Sequence, residues 1–205
     1  TVSMITKPQG YDEAPAYTGE VMQLPAGRYV CKILGVKQEE DKGHDRFIMQ
    51  FDIDEGEHKG FYQEQYGQAT QTDPNFKYKG VHRQNMDGPG LPFFKGLITS
   101  IEKSNAKFVF PFGQRGNEKT LVGKRFGAVM GREEFLTSDG KKRMATKIVQ
   151  IRSIEGLKDA KIPEDKLLGE NAGPASASAD PQYGPADKDG FMNIPDGIDE
   201  ELPFM

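Results

Sequence analysis

Three groups of residues in this chain have types and spacings suited to chemistry. The first is the terminal run Asp199-Glu200-Glu201-Leu202-Pro203-Phe204, followed by Met205. Its acids give long-range attraction to a basic pocket, its ring supplies an anchor, and its proline lowers the cost of ordering. Together these are the parts of a short partner-docking motif. The second group interleaves cations with aromatic rings. Residues 76–83 read FKYKGVHR and bring together Phe76, Lys77, Tyr78, Lys79 and Arg83. Arg46, Tyr62, Tyr66, Lys124, Arg125 and the run Lys141-Lys142-Arg143 extend it. Cations follow phosphates and ring faces stack on bases, each base contributing about 1–3 kcal/mol, so this pattern suits single-stranded nucleic acid. The third group is Asp52, Asp54, Glu55, Glu57 and His58. Carboxylates so spaced would suit a divalent metal in a nuclease. They run, however, into the turn Glu55-Gly56-Glu57-His58-Lys59-Gly60, where charges face solvent, and no second carboxylate group with an attendant Lys accompanies them. Binding is therefore the stronger reading and metal chemistry the weaker.

Other catalytic chemistries lack their residues. No Gly-rich phosphate loop or nucleophile elbow is present, and the three histidines are scattered. The single cysteine, Cys31, rules out a disulfide within the chain and a thiolate metal cluster. It sits in an apolar stretch and reads as a buried strand residue in a reducing, cytoplasmic setting. No catalytic residue, metal or cofactor is expected. No apolar run approaches the roughly 20 residues of a membrane-spanning helix. Residues 1–20 lack the basic-then-apolar pattern of a secretory signal.

The charge is unevenly spread. Residues 21–163 carry 24 Lys and Arg against 18 Asp and Glu, a net of +6, whereas residues 164–205 carry two Lys against ten acids, a net of −8. A basic body attracts a polyanion; an acidic tail repels one and competes for the same surface.

The elements that must hold these residues are mostly strands. Residues 1–23 form an irregular lead-in and residues 24–160 the body. Leu24-Pro25-Ala26-Gly27 is turn chemistry that releases a strand over Arg28–Lys37. A charged turn over Glu39–Asp45, centred on Gly43, leads to a strand over Arg46–Asp54. There Phe47, Met49, Phe51 and Ile53 share one face and read as core. Phe61–Gln68 is expected to be a third strand and residues 69–90 a long polar loop. Pro92–Ser104 predicts a helix, with Phe93, Phe94, Leu97, Ile98 and Ile101 at helical spacing. Leu121–Phe135 and Lys142–Ile154 predict two more strands, joined by the turn Ser138-Asp139-Gly140. Five strands with one helix between the third and fourth match an OB-like barrel. Residues 155–168 read as a short connector; residues 161–190 are expected to be a flexible linker, its stretch 169–190 rich in Gly, Pro, Ala, Ser and Asp, and residues 191–205 the acidic-aromatic tip.

The tip resembles the C-terminal tip of bacterial single-stranded DNA-binding proteins, in which acids precede Ile/Leu-Pro-Phe after a disordered linker. In those proteins the terminal Phe bears the free carboxylate; here Met205 follows Phe204. The chain is also similar to a phage family of single-stranded DNA-binding-like proteins. The stretches that carry the likeness are Leu24–Ile33, Phe51–Gly60, Phe94–Glu102, Leu121–Lys124 and Phe191–Gly197. The resemblance implies a phage or prophage protein in the bacterial cytoplasm. It implies an OB-like domain that coats single-stranded DNA and recruits replication and recombination proteins through the tip. Strand annealing in recombination is the neighbouring reading, a metal-dependent nuclease or a pure protein adaptor the more distant ones. Self-association into a homo-oligomer is compatible with each.

Overall fold

The computed structural model describes residues 4–14, 16 and 22–169. The tip Asp199–Phe204 and most of the expected linker lie outside the described residues. The chain is mainly β. Five strands, β1 (Gly27–Asp41), β2 (His44–Ile53), β3 (Val81–Asn85), β4 (Arg125–Leu136) and β5 (Lys142–Arg152), form one antiparallel sheet in the order β3-β2-β1-β4-β5. No ladder joins β3 to β5, so the sheet is not closed. Three helices, α1 (Phe61–Thr72), α2 (Leu91–Ser104) and the single turn α3 (Glu118–Leu121), complete the body.

β1 serves two neighbours. Gly27–Lys32 pair with β4 and Cys31–Asp41 pair with β2, with a register shift between Ile33 and Gly35. Such an irregularity bends a strand and strengthens its twist, letting the sheet curl about its core. β1 passes into β2 through Lys42 and Gly43, at φ 51° and 82°. Two consecutive left-handed residues make the tight hairpin turn whose twist matches the flanking strands. The strands therefore run further into the charged segment 39–45 than its composition suggests.

The core follows the alternation in the sequence. Phe47, Met49, Phe51 and Ile53 of β2 meet Cys31, Ile33 and Val36 of β1 and Phe126, Ala128 and Met130 of β4. The stripe Phe94, Leu97, Ile98 and Ile101 of α2 closes over them. Full burial of each such side chain contributes about 1.5–3 kcal/mol. Phe93 is one residue off the stripe and is 39% exposed, a departure from its expected place on the core face. α2 packs against β3 at one sheet edge and against β4 and β5 at the other. Its last turn is tied down by Asn105, whose Nδ2 donates to Ile101 O (2.7 Å) and Arg125 O (2.8 Å).

Three sequence expectations are corrected. Phe61–Gln68 is not a strand but most of α1, because Asp52 supplies the cap that the local sequence lacks. Its carboxylate accepts from Tyr62 N (2.9 Å) and Gln63 N (3.0 Å), two of the orphan donors at the helix start. Residues 69–90 are not one loop, since they hold the end of α1, strand β3 and a 3₁₀ turn at Gly88–Gly90. Finally, the fourth strand starts at Arg125 rather than Leu121, after α3 and Gly123 at φ 82°. Residues 161–168, at the start of the expected linker, run along the body. Lys166 N donates to Arg132 O (2.9 Å), Glu134 N to Lys166 O (2.8 Å) and Leu168 N to Glu134 Oε2 (2.9 Å).

Candidate nucleic-acid interface

A ladder of rings leads from the core to the surface beside β2 and β3. Phe51 meets Tyr62 at 5.5 Å between centroids, Tyr62 meets Tyr78 at 6.3 Å, Tyr78 meets Tyr66 at 5.9 Å, and Tyr66 meets Phe76 at 6.5 Å. The two outer rings are half-buried, and Lys79 Nζ lies 5.4 Å from the Phe76 centroid. α1 presents Tyr62 and Tyr66 one turn apart, and the chain returning to β3 supplies Phe76 and Tyr78. Gly80 permits the return, because its Cα lies against Phe51 and the Tyr62 and Tyr78 rings.

Position along this ladder separates the ring candidates. Tyr62 is buried, packed between Phe51, Phe61 and Tyr78, so it belongs to the core and offers no open face; this corrects its expected stacking role. Tyr78 is half-buried and its hydroxyl donates to Phe51 O (2.9 Å). Burial first, and the Asp52 carboxylate second, push its pKa up. Tyr66, Phe76 and Lys79 remain as the assembled outer set, with half-buried Lys77 next to them in sequence.

The sheet face opposite the core carries a second group. Cross-strand neighbours share a face, so Glu39, Arg46 and Asn85 form one row there and Lys37, Ile48 and Arg83 the next. Arg46 pairs with Asp41, and Lys37 with Glu39 at 2.9 Å. Ion pairs of this kind contribute little to stability and are screened by salt, so a phosphate can replace the carboxylate.

The other candidate cations lie apart. Lys124 sits over the Phe108 ring, 4.7 Å from its centroid. Arg125 is held by Glu55 and by Asp54 (2.9 Å), and the Glu55 hydrogen bond is the main reason its pKa is raised. Lys141, Lys142 and Arg143 occupy the exposed β4–β5 hairpin, where Lys141 faces Asp139 (3.2 Å) and Lys142 faces Glu134 (3.7 Å). The acids that are neighbours in sequence are dispersed in their roles: Asp52 caps α1, Asp54 and Glu55 hold Arg125, and Glu57 faces His58 at 3.2 Å. Among the described residues no group of three His, Cys, Asp or Glu is placed to hold one ion. No helix there is long and apolar enough to cross a membrane.

His82 has a role that its sequence context does not signal. It lies on β3 opposite Met49, and its Nε2 is shielded from solvent with no hydrogen-bond partner. Burial pushes its pKa down to about 4. The folded chain therefore holds His82 neutral, while the unfolded chain protonates it near pH 6.5. Its contribution is complete above pH 6.5 and is lost as pH falls from there toward 4. The expected loss is about 1 kcal/mol by pH 5.5 and about 2 kcal/mol by pH 4.5. Urea unfolding at these pH values checks this, with His82→Gln as the reference. An identical acid loss in that variant would show that His82 is not the source.

No family model and no curated protein matches this chain.

Proposed function

We propose that this chain coats single-stranded DNA on an OB-like barrel, without catalysis or cofactor, and recruits replication or recombination proteins through Asp199–Phe204. The fold reading rests on strand order. A five-stranded OB barrel cut between its third and fifth strands gives the row β3-β2-β1-β4-β5. α2 lies between β3 and β4 in the chain and packs against both sheet edges, which suits a partly open barrel. Fold alone does not carry function.

The observation that carries function is the outer set Tyr66, Phe76 and Lys79, in which a cation lies over one of two half-buried rings; Arg46 and Arg83 add cations on the outer face of β2–β3. Ring faces next to phosphate-seeking cations are what sequence-tolerant binding of single strands requires. OB folds bind oligonucleotides on that face and between the β1–β2 and β4–β5 loops. Lys141, Lys142 and Arg143 occupy the second of those loops here.

The test is a titration of fluorescent oligo-dT with the full chain at two salt concentrations, Mg²⁺ present. Binding at low-micromolar protein or tighter is expected. About five phosphate contacts weaken it roughly a hundredfold between 50 and 200 mM salt. Absence of binding would sink the proposal. Shortening of the oligonucleotide would point to a nuclease, and faster pairing of complementary strands to an annealing protein.

A further inference from the structure

We infer that the loop between α2 and β4 is a second single-strand contact, with Phe112 as a base-stacking platform and Lys107 and Arg115 as its phosphate contacts. The inference rests on the DNA-binding reading above and extends it to residues outside the ring ladder.

Residues 105–124 hold Phe108, Phe110 and Phe112 with four cations against one acid, Glu118. Phe112 is 62% exposed. One exposed apolar residue is ordinary; its surroundings are less so. Phe110 meets Phe112 edge to face at 4.6 Å and 88°, and Phe94 meets it at 6.5 Å and 79°. The ring is therefore buttressed from below while much of its surface stays open to solvent.

The loop is also fixed. Asn105 ties one end to α2 and β4, Glu102 Oε2 accepts from Phe110 N (3.3 Å), and Asn117 Nδ2 donates to Pro111 O (3.1 Å). A held ring loses little freedom when a base stacks on it.

The cations differ from four of the other candidates. Arg46, Arg125, Lys141 and Lys142 each face a carboxylate. Exposed Lys107 and Arg115 have no ion-pair partner among the described residues, and Lys124 lies on the Phe108 ring. An uncompensated positive loop with an open ring suits a polyanion that also carries flat apolar faces, which is single-stranded nucleic acid.

The experiment measures oligo-dT affinity of the full chain across a salt series, for the wild type, Phe112→Ala and the double variant Lys107→Gln/Arg115→Gln. Stacking is uncharged, so Phe112→Ala should weaken binding about tenfold at every salt and leave the salt slope unchanged. The double variant removes two phosphate contacts and should flatten the slope by about 1.4. All three side chains are exposed, and matching thermal melts would show that the fold is intact. If wild type binds and neither variant changes affinity or slope, this inference is overturned and the DNA-binding reading stands. If wild type does not bind, both fall. If the variants keep oligo-dT but lose a labelled peptide of residues 191–205, the loop is an acidic-peptide site and the inference is overturned.

Discussion

Replacing Gly80 by alanine is expected to cost about 4 kcal/mol or more, a large share of the 5–15 kcal/mol that stabilises an ordinary domain. A Cβ on Gly80 would lie 2.3 Å from Phe51 O, 2.7 Å from the Tyr78 ring and 3.0 Å from Tyr62 Cγ. The first of these is backbone inside a ladder, since Phe51 N donates to Gly80 O at 2.8 Å. Neither partner can turn aside as a flexible side chain would. Relief requires β3 to move off β2, or the ring ladder to open. At roughly 2–4 °C per kcal/mol, the melting temperature should fall by about 10 °C. Gly67→Ala is the control. Gly67 lies within α1 with open space around it, so alanine there should stabilise by about 0.5–1 kcal/mol. Equal shifts for the two variants in thermal melts would refute the steric account. Because Gly80 also seats Tyr78, its variant should bind oligo-dT more weakly than its residual folded fraction explains.

Asp52→Ala is the second large effect. The carboxylate is 4% exposed and accepts from Ile53 N (2.8 Å), Tyr62 N and Gln63 N. Alanine would leave these buried N–H donors without an acceptor and α1 without its cap. Caps contribute about 0.5–2 kcal/mol, and hydrogen bonds to a charged group about 1.5–3 kcal/mol. We expect a loss of about 3 kcal/mol in urea unfolding. Asp52→Asn, which keeps one acceptor oxygen, should lose about half of that. Hydrogen exchange supplies the local readout: the amides of Tyr62 and Gln63 should lose protection before those of β4. Unchanged protection at both amides would show that the helix does not depend on this carboxylate.

These two residues also show where the sequence was legible. β2 is readable because its alternating apolar residues leave a period of two, β1 because β-branched and aromatic residues cluster over Arg28–Lys37, and α2 because Phe94, Leu97, Ile98 and Ile101 repeat at helical spacing. α1 is not. Phe61, Tyr62 and Tyr66 resemble a strand in composition, and the cap comes from the preceding strand instead of the residues beside the helix. β3 is short, and each of its five residues is half-buried, so no alternation marks it. In the candidate interface, Phe76 and Lys79 lie within one short stretch of sequence, whereas Tyr66 joins them only through the packing of α1 against it. Tyr62 was misplaced for the reason α1 was: its neighbours in sequence are polar, but its neighbours in space are rings. The loop 105–124 holds three phenylalanines among four cations, with no sustained apolar–polar alternation and no helical repeat to mark it as an element. The ion pairs that separate Arg125 from Lys107 are long-range and leave no local trace.

Cys31 has a practical consequence. The chain's only thiol lies on β1 with none of its surface accessible, and burial raises its pKa. A thiol reagent reacts with the thiolate and needs access, so it can reach this sulfur only when the sheet parts. The rate of alkylation then counts how often β1 leaves its neighbours. The chain thus carries its own reporter of core opening, at a position flanked by β2 and β4, with no label to add and no second cysteine to confuse the signal.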